Sequence, residues 1–253
     1  MQRYFIQLSY KGTHYSGFQK QDNANSIQAE VERALKIFFR KEFELTCSSR
    51  TDAGVHALEN YFHFDSDIPL FPGRGANGEG LNAILPPDIV IKRIFEVAPN
   101  AHSRFEVISR TYKYTIYRHK DPFLEDRAYF FPFKLDPDLM QEAAVEISLH
   151  EDFTSFSKRN TQVKTFNCKV MESRWTEETN CLVYQVTANR FLRGMVRGFV
   201  GTMLQVGTGK ISLAQFRSII KAKDCTMADF SVPPQGLFLA TVTFPVVKTE
   251  ITC

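Results

Sequence analysis

The sequence is short of the residues that announce a metal, redox or membrane protein. Its 253 residues include five cysteines, Cys47, Cys168, Cys181, Cys225 and Cys253. Their number is odd, and no two have the spacing of a metal knuckle or a redox pair. The six histidines, His14, His56, His63, His102, His119 and His150, are as scattered. No zinc or iron site is therefore expected, and no glycine run has the spacing of a Walker or dinucleotide loop. No apolar run reaches the roughly 20 residues that cross a bilayer. The opening Met1-Gln2-Arg3-Tyr4-Phe5 alternates like a strand and lacks a signal-peptide layout. A cytoplasmic location is the expectation.

Acidic residues are missing from one long stretch. Between Thr179 and Lys223 there is no Asp or Glu, yet Arg190, Arg193, Arg197, Lys210, Arg217, Lys221 and Lys223 all fall there. From Asp121 to Asp152 the bias reverses, with only Arg127 and Lys134 among many acids. The net charge of +3 is modest, but a phosphate backbone responds to the local field. An anionic partner is the sharper reading; a solvated helix face is the plainer one. A hydrophobic content of 43% against 23% charged residues excludes a disordered chain.

Periodicity predicts a strand over 3–10, a helix over 26–41 capped by Asn25 or Ser26, strands over 43–47 and 60–64, a short helix over 80–85 and a strand over 89–97. A similar order follows: a strand over 110–118, a helix over 136–149 with Pro137 in its first turn, strands over 165–176 and 181–188, helices over 191–206 and 213–222, and a strand over 237–244. Both halves read strand–helix–strand–strand–helix–strand. This predicts an α+β fold of two ferredoxin-like (RNP-like) subdomains, residues 1–106 and 107–253. They are expected to share one mixed, mainly antiparallel sheet, with helices on one side and a central catalytic cleft. The glycine-rich run Gly73–Gly80 reads as a mobile loop, a lid or a connector.

Three segments carry candidate chemistry. Ser48-Ser49-Arg50-Thr51-Asp52-Ala53-Gly54-Val55-His56-Ala57 is small and polar, and holds one carboxylate. Thr51 is placed to orient Asp52, and Gly54 permits a tight turn. A surface turn is the plain alternative. In the helix expected over 191–206, Gly194, Gly198 and Gly201 form a bare stripe, and Arg190, Arg193 and Arg197 form a row. Each interior glycine costs about 1 kcal/mol against alanine, so the stripe implies close approach of another backbone or a ligand. The arginines suit phosphates, or one turns inward to pair with a carboxylate. Finally, Arg110-Thr111-Tyr112-Lys113-Tyr114 alternates cations and aromatics, a pattern that stacks bases or forms an ordinary edge strand.

Taken together these segments resemble the tRNA pseudouridine synthase A family. Tyr10-Lys11-Gly12-Thr13-His14-Tyr15-Ser16-Gly17-Phe18-Gln19-Lys20-Gln21 is similar to its N-terminal signature, and Arg50 to Ala57 to its catalytic motif RTDAGVHA. Arg110 to Tyr114, Asp152 to Phe156, Met195-Val196-Arg197 and Pro234-Gln235-Gly236-Leu237 match further blocks in order. Lys11, Phe18 and Ser49 depart from the family's usual Asp, Trp and Gly. The resemblance implies that Asp52 is the essential carboxylate and that Arg197 pairs with it. Tyr112 would stack on the target base, and Leu237 would add apolar contact. Arg50 would hold the flipped nucleotide or the RNA backbone. Arg193 and Lys164 are read as phosphate contacts. The resemblance also implies a homodimer acting on uridines 38, 39 and 40 of the tRNA anticodon stem-loop, without metal or cofactor.

The chemistry suits the residues. Pseudouridine formation breaks the N1–C1′ bond, turns the uracil and rejoins it through C5. The nucleotide must leave its stack, at a cost of a few kcal/mol. A carboxylate then attacks C1′, adds to C6 or removes the C2′ proton; the sequence does not choose. A non-catalytic RNA-binding module would explain the cations and aromatics but not a carboxylate among them. A glycoside hydrolase would want two carboxylates at a set separation, and only one good candidate is present.

Overall fold

A computed structural model of the chain describes residues 1–67, 69–70, 78–159 and 163–245. Among these are nine strands and five α-helices, the mixed α+β class that the patterning implies. The chain divides into two compact units, Met1–Ile108 with the segment from Leu239 onward, and Ser109–Phe238.

In the first unit, β1 (Gln2–Tyr10) runs antiparallel to both β3 (His56–Ser66) and β4 (Ile89–Val97). Ile6 faces Phe62 on one side and Ile94 on the other, all three buried. Helix α1 (Ile27–Phe39) starts at Ser26, whose hydroxyl accepts from the Ala29 amide, and buries Ile27, Val31, Ala34 and Leu35. It stops at Arg40, which takes a left-handed φ of 56°, so it is shorter than the expected 26–41. Strand β2 covers only Thr46–Cys47, paired with β3. Phe43, expected within a strand, instead packs edge-on against Phe64. Helix α2 (Glu79–Asn82) follows Gly78, which has a φ of 64°. Of the glycine-rich run, residues 73–77 lie outside the described residues.

The last strand, β9 (Leu237–Thr243), begins in the second unit, and its later residues complete the first. The strand order there is β4-β1-β3-β9. The Val242 amide donates to Glu59 on β3, Ile108 N donates to Thr243 O, and Phe244 stands edge-on to Tyr61. The sequence reading keeps residues 107–253 together; these bonds show where the two divisions differ.

In the second unit β5 (Ser109–Tyr117), β8 (Cys181–Ala188) and β7 (Val170–Glu178) pair antiparallel in that order. The short β6 (Tyr129–Phe130) joins β5 in parallel. The β7–β8 turn is tight, with Asn180 at a φ of 61°. Helix α3 (Pro137–Ser148) is capped by Asp136, which accepts from the Leu139 amide. It packs on β7, on α4 (Met195–Gly207) and on α5 (Leu213–Ala222). Alternation on β5 buries Tyr112, Tyr114 and Ile116 on one face, as the spacing predicts.

Helix α4 starts four residues later than the pattern suggests. Gly194 is its N-cap, with a φ of 75°, a region where glycine carries no steric cost. Arg190 and Arg193 therefore precede the helix and form no helical row with Arg197, and Gly194 is not an interior glycine.

Candidate active site

Asp52 stands in the loop between β2 and β3, and the loop is held at several points. The Ser48 amide donates to Tyr61 O at 2.8 Å. The fully buried Asn60 amide donates to Ser49 O at 2.9 Å and to the Tyr10 hydroxyl at 3.3 Å. The hydroxyls of Tyr10 and Thr51 are 2.8 Å apart. The Phe18 amide donates to Thr51 O at 3.1 Å, and the Val55 amide closes on Asp52 O at 3.2 Å, with Gly54 at a φ of 75°. Buried His56 accepts the Gly12 amide on Nδ1 at 3.0 Å, which places the proton of the neutral ring on Nε2. The N-terminal signature is thus the cradle of the second motif. Gly12 is the tightest point: a Cβ there would lie 2.0 Å from Val55 O.

Within the loop Arg50 is exposed, Thr51 buried and Asp52 half-buried. The expectation that Thr51 orients Asp52 needs correction, because its hydroxyl is turned toward Tyr10. Two of the departures from the family pattern are structurally mild. Phe18 is buried and stacks on Phe62 with ring centres 4.9 Å apart, so an aromatic still fills that site. Lys11 is exposed, and its backbone amide donates to Asp88 O at 2.9 Å.

The second unit holds the other candidates. Tyr112 is 8% exposed and meets Phe191 edge-on, ring centres 4.9 Å apart. Arg197, in the first turn of α4, donates from Nε to Val232 O at 2.8 Å and from Nη2 to Phe230 O at 3.3 Å. These carbonyls belong to a strap over 229–236 that leads into Leu237, itself buried. The strap is pinned at its start. The Asp229 amide donates to Thr202 Oγ1 at 3.0 Å, and its carboxylate accepts from Gln205 and from the Ser231 amide. Burial pushes the Asp229 carboxyl up, but those donors outweigh it and hold the group below its ordinary value. Farther along, the Tyr114 hydroxyl donates to Pro233 O at 2.7 Å, and burial raises that phenol's pKa well above the usual range.

The remaining two glycines of the stripe explain how the strap comes so close. A Cβ on Gly201 would sit 2.2 Å from Asp229 O, and one on Gly198 would sit 2.8 Å from the Phe230 ring. The close approach expected from the stripe is therefore that of the strap, by its backbone at Gly201 and by the Phe230 ring at Gly198. Arg193 is exposed, and its carbonyl accepts the Lys158 amide. Lys164 is exposed.

The structure gathers Arg50 and Asp52 on one loop of the first unit, and links Arg197 to Leu237 through the strap of the second. Sequence reasoning missed Asn60, Asp229, Thr202 and Gln205. Only Asn60 left a signal, as a polar residue on the same parity as Phe62 and Phe64. Among the described residues no group of three or more His, Cys, Asp or Glu is placed to hold a metal ion. No helix among them is long and apolar enough to cross a membrane.

Comparison with known proteins agrees with these motifs. A family model described as tRNA pseudouridine synthase matches residues 7–74 and 143–245. Proteins named tRNA pseudouridine synthase A match along nearly the whole chain. That of Porphyromonas gingivalis is 47% identical over 249 residues, covering 97% of this chain and 98% of its own. That of Bacteroides fragilis is 46% identical over 247 residues, covering 97% of each. That of Parabacteroides distasonis is 44% identical over 245 residues, again 97% of each. With its two signatures folded into one cradle around Asp52, the chain belongs to the tRNA pseudouridine synthase family, isomerases that convert uridines of tRNA to pseudouridine.

Proposed function

We propose that this enzyme isomerises uridines 38, 39 and 40 in the anticodon stem-loop of tRNA, with Asp52 as the catalytic carboxylate. Its relatives named tRNA pseudouridine synthase A support the substrate class. The observation that carries the assignment of Asp52 is the cradle. Tyr10, Gly12, Phe18 and Asn60 hold the backbone on either side of this residue, yet leave its side chain half-buried and without a hydrogen bond among the described residues of the first unit. A rigid loop that presents one uncommitted carboxylate suits a group that must meet a substrate.

In this reading Arg197 is the countercharge of Asp52, and Tyr112 stacks on the extruded uracil near C5. Leu237 supplies an apolar wall. Arg50 and Arg193 hold the flipped nucleotide and the RNA backbone, with Lys164 as a further phosphate contact. The strap bonds occupy Nε and Nη2 of Arg197, which leaves its Nη1 edge for a carboxylate. Asp52 attacks C1′, adds to C6 or removes the C2′ proton, and the uracil rejoins through C5. We further propose that the enzyme works as a cytoplasmic homodimer without metal or cofactor. The test is a carbodiimide-based map of pseudouridine on unmodified tRNA treated with the purified, metal-free enzyme. Product at 38, 39 and 40 supports the reading. Product elsewhere, or none, overturns it.

A further inference from the structure

The second unit holds a cationic cup, apart from the residues given roles above. It is a cavity of about 270 Å³ with Lys158, Arg159, Lys223, Thr154, Ser157 and Phe166 on its wall. Its frame is fixed by buried Ser155. That hydroxyl donates to Ile219 O at 2.6 Å and accepts the Asp224 amide at 3.1 Å, which joins the turn over 154–156 to the end of α5. Lys223 turns the chain there with a φ of 54°.

The acids near the cup are already engaged. Asp152 binds Lys223 Nζ at 2.8 Å. Asp224, also on the wall, accepts from the Thr226 amide and hydroxyl; these bonds hold its carboxyl below its ordinary value, with Arg159 adding to the effect. Among the described residues Lys158 and Arg159 form no ion pair. The Lys158 stem lies over Gly194, where a Cβ would come within 3.0 Å of its Cγ and 3.1 Å of its Cε. Its amide donates to Arg193 O at 3.0 Å. The mouth of the cup is thus continuous with the start of α4, one turn before Arg197.

We propose that this cup is a phosphate subsite that takes a phosphodiester of the tRNA backbone next to the target nucleotide. The inference rests on tRNA being the substrate. Lys158 and Arg159, which form no ion pair among the described residues, suit phosphate oxygens, while Asp152 holds the Thr154 hydroxyl and the carbonyl of Lys158 holds the Ser157 hydroxyl. A half-buried phenylalanine beside them offers a face to a base or ribose. A strand held at Arg193 runs on across Lys158 into the cup. Free phosphate has the same chemistry and is the competing source.

The test measures tRNA affinity over a range of salt for the wild type, Lys158→Ala, Arg159→Ala, the double variant and Gly194→Ala. Lys36→Ala, a surface cation of α1 paired with Glu42, is the control. Each single cup variant is expected to weaken tRNA binding about 5- to 10-fold and to lower the log–log salt slope by about 1, with the double variant losing about 2. Gly194→Ala, which displaces the Lys158 stem and strains the start of α4 at a φ of 75°, should weaken binding at least as much as Lys158→Ala and lower the melting temperature. Wild-type affinity and slope in the double variant would overturn the proposal. So would inorganic phosphate that binds the wild type, is lost in the variants, and leaves their tRNA affinity intact. Wild-type enzyme that binds tRNA with this salt dependence but makes no pseudouridine would sink the proposed function instead, leaving the subsite standing.

Discussion

Tyr10 and Thr51 meet hydroxyl to hydroxyl at 2.8 Å, 41 residues apart in the chain and one residue before Asp52. Asn60 adds a third member by donating to the same tyrosine oxygen. All three are buried, so the backbone that presents Asp52 is set by a polar cluster cut off from water. Such clusters are rigid when satisfied and costly when broken.

Asp52→Ala and Asp52→Asn should abolish pseudouridine formation while leaving tRNA affinity within about tenfold, or ~1.4 kcal/mol. Single-turnover assays beside binding isotherms give both numbers. Normal turnover in either variant would remove Asp52 from the chemistry.

Gly12→Ala should damage the cradle without touching a catalytic group. Its methyl would sit 2.0 Å from Val55 O, so backbone must move. We expect a loss of about 1–3 kcal/mol in stability and a fall in kcat, read by urea denaturation and by turnover. Tyr10→Phe, which removes one hydroxyl from the cluster, should cost about 1–2 kcal/mol.

Arg197→Lys should lower kcat by about 100-fold with a smaller change in tRNA affinity, because an ammonium cannot reproduce the fork that spans Val232 O and Phe230 O. Gly201→Ala should act in the same direction, since it pushes on Asp229 O. Equal losses in kcat/KM and in binding would argue for a general RNA contact at Arg197 instead.

Much of this architecture was legible in the sequence because it is written in local pattern. The strand expected over 89–97 and the helix expected over 213–222 have the observed bounds, and the alternation expected along 110–118 is that of β5. The start of α4 was not legible, because Phe191 to Gly194 keeps helical spacing of apolar residues while the conformation of Gly194 lets the helix begin only after them. The strap over 229–236 was invisible for another reason. Many of its contacts run through backbone carbonyls, which carry no side-chain signature, so the pair Gly198 and Gly201 and the block Pro234 to Leu237 mark the place without showing the partner. The Asp52 motif was recognisable as a string, but the partner of Thr51 was not, since Tyr10 lies on a distant strand.

Stability should fall on mild acidification. Burial, together with nearby His102 and Arg3, pushes His63 down from 6.5 to about 4, while Asp65 pulls the other way. The unfolded chain therefore takes up a proton below 6.5 that the folded chain refuses until about 4. The contribution is complete above pH 6.5 and is lost as pH falls toward 4. Between about pH 7 and pH 5 this amounts to ~2 kcal/mol. His102, shifted the same way, adds to it. Denaturation curves at the two pH values should separate accordingly, and the gap should narrow in His63→Gln. An unchanged gap would place the acid sensitivity elsewhere.

The Val242 and Phe244 contacts carry a consequence for synthesis. The unit that presents Asp52 borrows its final strand from the segment after Leu239, beyond the whole of the second unit in sequence. During translation, when domains ordinarily fold from the N-terminus onward, Glu59 and Tyr61 wait for those partners until Val242 and Phe244 have been added. A ribosome stalled at residue 230 would hold the Asp52 loop on a sheet that still has an open edge.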